Sequence, residues 1–133
     1  MALIDASALA SYILKEEGSG KIREYLAQGV MSVELVIKET ANAILMATKR
    51  KMIGSQQFEI YLGALKALLK SNIKLVDQRD ILEESFKIAL KNDLTIYDAI
   101  YITSAKKQKI PLLTCDKRQA KVAKGEGIDV IEM

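Results

Sequence analysis

The sequence predicts an α/β domain with a mostly parallel central sheet of about five strands and helices on both faces. Two observations carry this. Short, buried-looking apolar segments alternate with longer amphipathic ones along the whole chain, the pattern of parallel strands joined by helical crossovers. Several of these segments also end on an aspartate, and in a parallel sheet all strand C-termini lie along one edge, where ligands bind. With 133 residues, one proline, seven glycines, no internal repeat and no linker-like stretch, residues 1–133 read as a single domain.

In order, "ALID" (residues 2 to 5) reads as a short buried strand. From Ser7 the apolar positions Leu9, Ala10, Ile13 and Leu14 recur at helical spacing, with Gly18 and Gly20 as the stop. A short helix is expected from about Lys21 to Gln28, with Ile22, Tyr25 and Leu26 inward. "VMSV" is the second strand, and a long helix follows from about Glu34 to Lys51. Gly54 and Ser55 open "QQFEIYLGALKALL", which places Phe58, Tyr61, Leu62, Leu65 and Leu69 on one face. "IKLV" is the third strand, and Ile81, Leu82, Ser85, Phe86, Ala89 and Leu90 mark the next helix. Thr95 begins "TIYDAIYITSAKK"; "PLLT" is a strand, "KRQAKVAK" a helix and "DVI" the last strand.

Composition narrows the chemistry. Half the residues are apolar and 28% are charged, a globular profile. No apolar run approaches the roughly 20 residues of a membrane helix and no signal-peptide pattern is visible, so a cytoplasmic protein without a membrane partner is expected. The lone cysteine, Cys115, fits a reducing compartment and reads as a small strand residue. Histidine is absent altogether, which excludes histidine general bases, histidine-activated nucleophiles and the common zinc sites. Hydrolytic chemistry must then come from carboxylates, hydroxyls, lysines or a hard metal ion. The net charge of +3 permits an anionic partner.

The acids differ in their setting. Asp5 and Asp116 each close a strand and precede a helix, which suits an N-cap as well as a site residue, and Asp77 after "KLV" has the same position. Glu39 lies in "ELVIKETANAILMATK", a helix apolar around most of its circumference and so expected to be buried on several sides. Leu35, Ala43 and Met46 flank it, with Asn42 one turn on. A buried carboxylate must be paired, protonated or bound to a cation. Asp98 in "TIYD" stands three residues after Thr95, a capping-box spacing with aspartate in the acid place.

Taken together, "LIDASAL", "VIKETANAI", "LTIYDAIYITSA" and "LLTCDKRQAK" resemble, in order and spacing, the acidic motifs of the PIN-domain nucleases. The similarity to the VapC-type toxin branch covers nearly the whole chain. The resemblance implies that Asp5, Glu39, Asp98 and Asp116 form the acidic cluster, with Ser7 and Thr114 as supporting hydroxyls; the family's last acid varies, which singles out Asp116. Asp77 and Asp93 match no acidic position, and Asp77 returns to a capping role. The resemblance further implies a ribonuclease leaving a 5′-phosphate and a 3′-hydroxyl, held inactive by a cognate antitoxin protein and commonly paired as a homodimer.

An all-oxygen cluster of this kind suits Mg²⁺, with Mn²⁺ as a substitute, and phosphodiester hydrolysis by a metal-activated water is the chemistry it fits. In the expected division of roles, Asp5 and Asp98 hold the principal ion, Asp116 assists it or a second ion, and Glu39 orients or deprotonates the attacking water. An acidic site needs basic surroundings to receive RNA. Lys117, Arg118, Lys121 and Lys124 follow Asp116 directly and are the backbone-contact candidates, with "KKQK" (Lys106, Lys107, Lys109) and "KRK" (Lys49 to Lys51) as further clusters. The five tyrosines read as core. Two rivals stand beside the ribonuclease: a receiver-like phospho-acceptor domain using Asp77, against which the absence of adjacent acids at Asp5 counts, and a catalytically inactive PIN-like RNA-binding module, against which the presence of all four acids counts.

Overall fold

A computed structural model describes residues 1–133. Five strands form one sheet, β1 (Leu3–Ile4), β2 (Val30–Val33), β3 (Ile73–Val76), β4 (Leu112–Thr114) and β5 (Val130–Glu132), in the order β3-β2-β1-β4-β5. Every pairing is parallel, so the expected mostly parallel sheet is entirely so. The helices are α1 (Ala6–Ile13), α2 (Ile22–Gln28), α3 (Leu35–Lys49), α4 (Phe58–Ser71), α5 (Leu82–Asn92), α6 (Ile96–Gln108) and α7 (Lys117–Gly125). Progress along the sheet reverses after β3. Crossovers of one hand therefore put α1 to α4 on one face and α5 to α7 on the other, as their mutual packing shows.

The central strands β1 and β4 are buried on both faces, and Leu3, Ile4, Leu112 and Leu113 are inaccessible to solvent. Strand order reverses between them, and their register sets Asp5, which follows β1, beside Thr114 at the end of β4. The edge strands β3 and β5 are more exposed. No helix is long and apolar enough to cross a membrane.

Several local expectations shift. The first helix ends at Leu14, before the glycines, where Lys15 takes a left-handed conformation (φ 56). Burial on all sides belongs to α6, in which Ala99 to Ala105 are buried without a break. By contrast α3 buries only one stripe, Val36, Thr40, Ile44 and Ala47, and leaves Glu39 half-exposed and Leu45 outward. The reason lies in packing: α6 is wedged between the sheet, α5 and α7, while α3 touches helices α1 and α4 along one side. On α5 the inward residues are Ser85 and Ile88, and Leu82, Phe86 and Leu90 face outward. Cys115 lies in the bend after β4, beyond the strand.

Candidate active site

Asp5 is the first residue after β1 and the N-cap of α1. Its Oδ1 accepts from the Ser7 hydroxyl (2.7 Å) and the Ala8 amide (3.0 Å). Its Oδ2 accepts from Thr114 Oγ1 (2.5 Å) and Gln119 Nε2 (3.4 Å). The cap and the site are therefore one arrangement, in which each carboxylate oxygen meets two donors. With only 2% of its surface exposed, Asp5 is pushed above the ordinary aspartate range by burial. The Thr114 and Ser7 hydroxyls and the Ala8 amide oppose that rise, and the charge of Asp116 adds to it.

Ser7 and Thr114 do double duty. The Ser7 hydroxyl also accepts from the Cys115 amide (3.0 Å), and the Thr114 hydroxyl from the Asp116 amide (3.0 Å). Two side chains thus fasten the end of β4 to the start of α1. Asp116 is exposed and caps α7, its Oδ1 accepting from the Arg118 (2.9 Å) and Gln119 (3.1 Å) amides.

Asp98 stands in the first turn of α6, where its amide donates to the capping Thr95 hydroxyl (3.2 Å). The expected cap is thus real for Thr95. Half-burial and the charge of Asp116 raise the Asp98 pKa, against the Thr95 hydroxyl and the Arg118 charge. Glu39 reaches across from α3, and its Oε1 accepts from the Tyr101 hydroxyl (2.6 Å). Tyr101 is 1% exposed. Burial, the bond to Glu39 and the charges of Glu39, Asp5 and Asp98 all hold its phenol far above its ordinary pKa, so it stays a donor.

The charge of Asp116 acts on both Asp5 and Asp98, and Tyr101 feels the charges of Glu39, Asp5 and Asp98. None of the four acids is ion-paired; the salt bridges all lie elsewhere. Such uncompensated, all-oxygen donors fit a hard divalent cation. No three of these acidic side chains converge closely enough to form a complete cation site by themselves.

Other expectations fare differently. Asn42 is exposed and makes no hydrogen bond to the acids. Asp77 is no helix cap: exposed at the end of β3, it accepts from the Arg79 amide (2.9 Å) and pairs with the Arg79 guanidinium (2.7 Å), whose hydrogen bonds lower its pKa to about 2. Lys117 and Lys121 are exposed and unpaired, whereas Lys124 pairs with Glu132 (3.3 Å) and the Arg118 guanidinium donates to the Asp93 carbonyl. Lys106 pairs with Glu84, tying α6 to α5, and Lys107 pairs with Asp80 in the short turn just before α5. Two site residues escaped the sequence reading. Tyr101 was indistinguishable from a core tyrosine, though its position three residues after Asp98 was a signal. Gln119, 3% exposed on α7, carries an Oε1 with no partner; a glutamine on the buried face of a basic helix was the available sign.

The all-parallel sheet of order β3-β2-β1-β4-β5, with Asp5 and Asp116 following the two central strands, defines an α/β domain with acids at its switch point. The sequence profile of the PIN domain matches residues 2–125, and the chain belongs to that family. Over 120 residues it is 30% identical to Ribonuclease VapC3 of Pyrobaculum aerophilum, spanning 89% of this chain and 91% of that protein, which places it in the VapC-type branch. The fold is similar to the crystal structure of PAE2754 from Pyrobaculum aerophilum (TM-score 0.76, 23% identity, 98% of this chain and 87% of the other). It is also similar to FitAB bound to the IR36 DNA fragment (TM-score 0.69, 13% identity, 99% and 94%).

Proposed function

We propose that the protein is a Mg²⁺-dependent ribonuclease, the toxin of a type II toxin-antitoxin pair, that hydrolyses RNA phosphodiester bonds. The observation that carries this reading is the set of acids Asp5, Glu39, Asp98 and Asp116 around one end of the sheet, none of them in an ion pair, in a chain of the PIN family. Its relative's designation as a ribonuclease supports the substrate class.

In this reading Asp5, Asp98 and Asp116 hold the ion, Asp5 and Asp98 most directly, and Glu39 orients the attacking water and receives its proton. The bound ion supplies charge neutralisation at the phosphate and lowers the pKa of water. Ser7 and Thr114 donate to the two Asp5 carboxylate oxygens and so fix its orientation toward the ion. Lys117 and Lys121, free of acidic partners, meet the RNA backbone. The receiver-like alternative loses support because Asp77 is engaged by Arg79.

A cognate antitoxin and a second copy of the chain are the expected partners. Apolar surface supports both: a groove of about 310 Å³ between α3 and α4, lined by Ile44, Leu45, Phe58 and Leu62, and the outward Phe86 and Leu90 of α5. The deciding experiment is RNA cleavage by purified protein with Mg²⁺ or Mn²⁺, with EDTA, and with Asp5→Asn. Cleavage lost to both EDTA and Asp5→Asn supports the reading; cleavage that survives both sinks it.

A further inference from the structure

We infer that Tyr101 is a positioning residue for Glu39, fixing the carboxylate that handles the attacking water. The inference rests on the ribonuclease reading and adds to it a group outside the acidic motifs. Glu39 is carried on α3, on the opposite face of the sheet from α6, and its only side-chain hydrogen bond comes from the Tyr101 hydroxyl at 2.6 Å. A glutamate has three side-chain torsions, and half-exposed on one helix it would sample several rotamers. The tyrosine ring cannot follow such motion. It is 1% exposed, among the largest fully buried side chains of the molecule, within the unbroken buried run of α6.

The bond is also directional. A phenol among carboxylates is a donor, so it occupies one lone pair of Glu39 Oε1 and leaves Oε2 free to accept from water. Charge-assisted O–H···O⁻ bonds of this length are the stronger kind. Because Asp98 lies one turn before Tyr101, the same helix sets the position of one acid directly and of another through the phenol. The acids on the two faces of the sheet are thereby kept in a constant relation.

The test is a double-mutant cycle in the full-length protein, with Tyr101→Phe, Glu39→Gln and the pair. Tyr101→Phe removes one oxygen and keeps the ring. It is expected to lower kcat for RNA cleavage about tenfold, with KM changed less than twofold. In the Glu39→Gln background the same change should alter kcat by less than twofold. Equal losses in both backgrounds, or a lowered melting temperature with unchanged kcat, would overturn the inference.

A readout without activity or metal covers a Tyr101→Phe protein that does not fold. In the wild type the Tyr101 hydroxyl proton should give a slowly exchanging NMR resonance, displaced or lost in Glu39→Gln. A resonance indifferent to Glu39→Gln would refute the contact. If the wild type cleaves no RNA while the resonance responds to Glu39→Gln, the ribonuclease reading fails and the Tyr101–Glu39 contact stands.

Discussion

The two sides of the acidic site are built differently. On the β1–β4 side, Asp5 is buried and meets four donors, and Ser7 and Thr114 bind it to the backbone of the neighbouring strand end. On the helical side, Glu39 and Asp98 are half-exposed, and Glu39 has a single side-chain partner. One side is fixed by many short-range bonds and the other by the placement of two helices. A nuclease needs both: a rigid point that locates an ion, and carboxylates open enough to meet water and a phosphate.

The largest effect that tests this contrast is Asp5→Asn. It should lower RNA cleavage on the order of 10³-fold while leaving the fold intact, because asparagine is also a good N-cap. Gln119 is a reason to expect tolerance: its unpartnered Oε1 can turn toward the new amide and satisfy itself. Cleavage within tenfold of the wild type would show that Asp5 is a cap and no more.

Removing supports separates the two sides further. Thr114→Val keeps the shape but takes a donor from Asp5 and an acceptor from the Asp116 amide. A 10- to 100-fold loss of activity is expected, on the order of what removing a hydrogen bond that orients a metal-binding carboxylate costs. Thr95→Val, which touches Asp98 on the looser side, should cost only a few-fold. Equal losses would mean that the sides are alike. Both are read from initial rates at saturating Mg²⁺.

These same residues show what the sequence could carry. The strand order of roles was legible because continuous apolar segments, each followed by a helix, admit few arrangements, and the acids ending "ALID" and "LLTCD" fall at one sheet edge in any of them. Which helix would be buried all round was not legible, since α3 and α6 are both apolar-rich and only the crossover directions decide which is wedged. Tyr101 and Gln119 escaped for a related cause. A buried tyrosine or glutamine gains its meaning from a partner far away in the chain, Glu39 or Asp5, and no local pattern announces that pairing.

A smaller effect concerns pH. Asp5 and Asp98 have raised pKa values in the fold, so between the ordinary value of 3.8 and the raised ones the native state holds more protons than the unfolded chain. Metal-free stability is then full at acidic pH and falls as pH rises through that window. At pH 7 the metal-free Asp5→Asn protein should melt about 3 °C above the wild type. Mg²⁺ should raise the melting temperature of the wild type and not of the variant. Asp77 and Glu126, whose pKa values are lowered, pull the other way in both proteins, so thermal scans at pH 4 and 7, with EDTA and with Mg²⁺, compare the variant with the wild type. An advantage of metal-free Asp5→Asn no greater at pH 7 than at pH 4 would contradict the assignment.

The smallest effect lies outside the acids, on the lysines that follow them. Lys117 and Lys121 on α7 are unpaired, while Lys106 and Lys107 on α6 are engaged with Glu84 on α5 and with Asp80 just before it. If the rim next to Asp116 meets RNA, replacing Lys117 and Lys121 by alanine weakens binding and flattens its dependence on salt by about 0.7 per lost phosphate contact on single-stranded RNA. The Lys106→Ala and Lys107→Ala pair should leave that slope alone and slightly lower the melting temperature, because those charges are spent on the helix pair. Binding of an uncleaved RNA by the Asp5→Asn protein, measured between 50 and 200 mM salt, distinguishes them. Equal slopes for both lysine pairs would place the RNA path somewhere other than α7, and the fixed side of the site would then lie away from the backbone it is meant to cut.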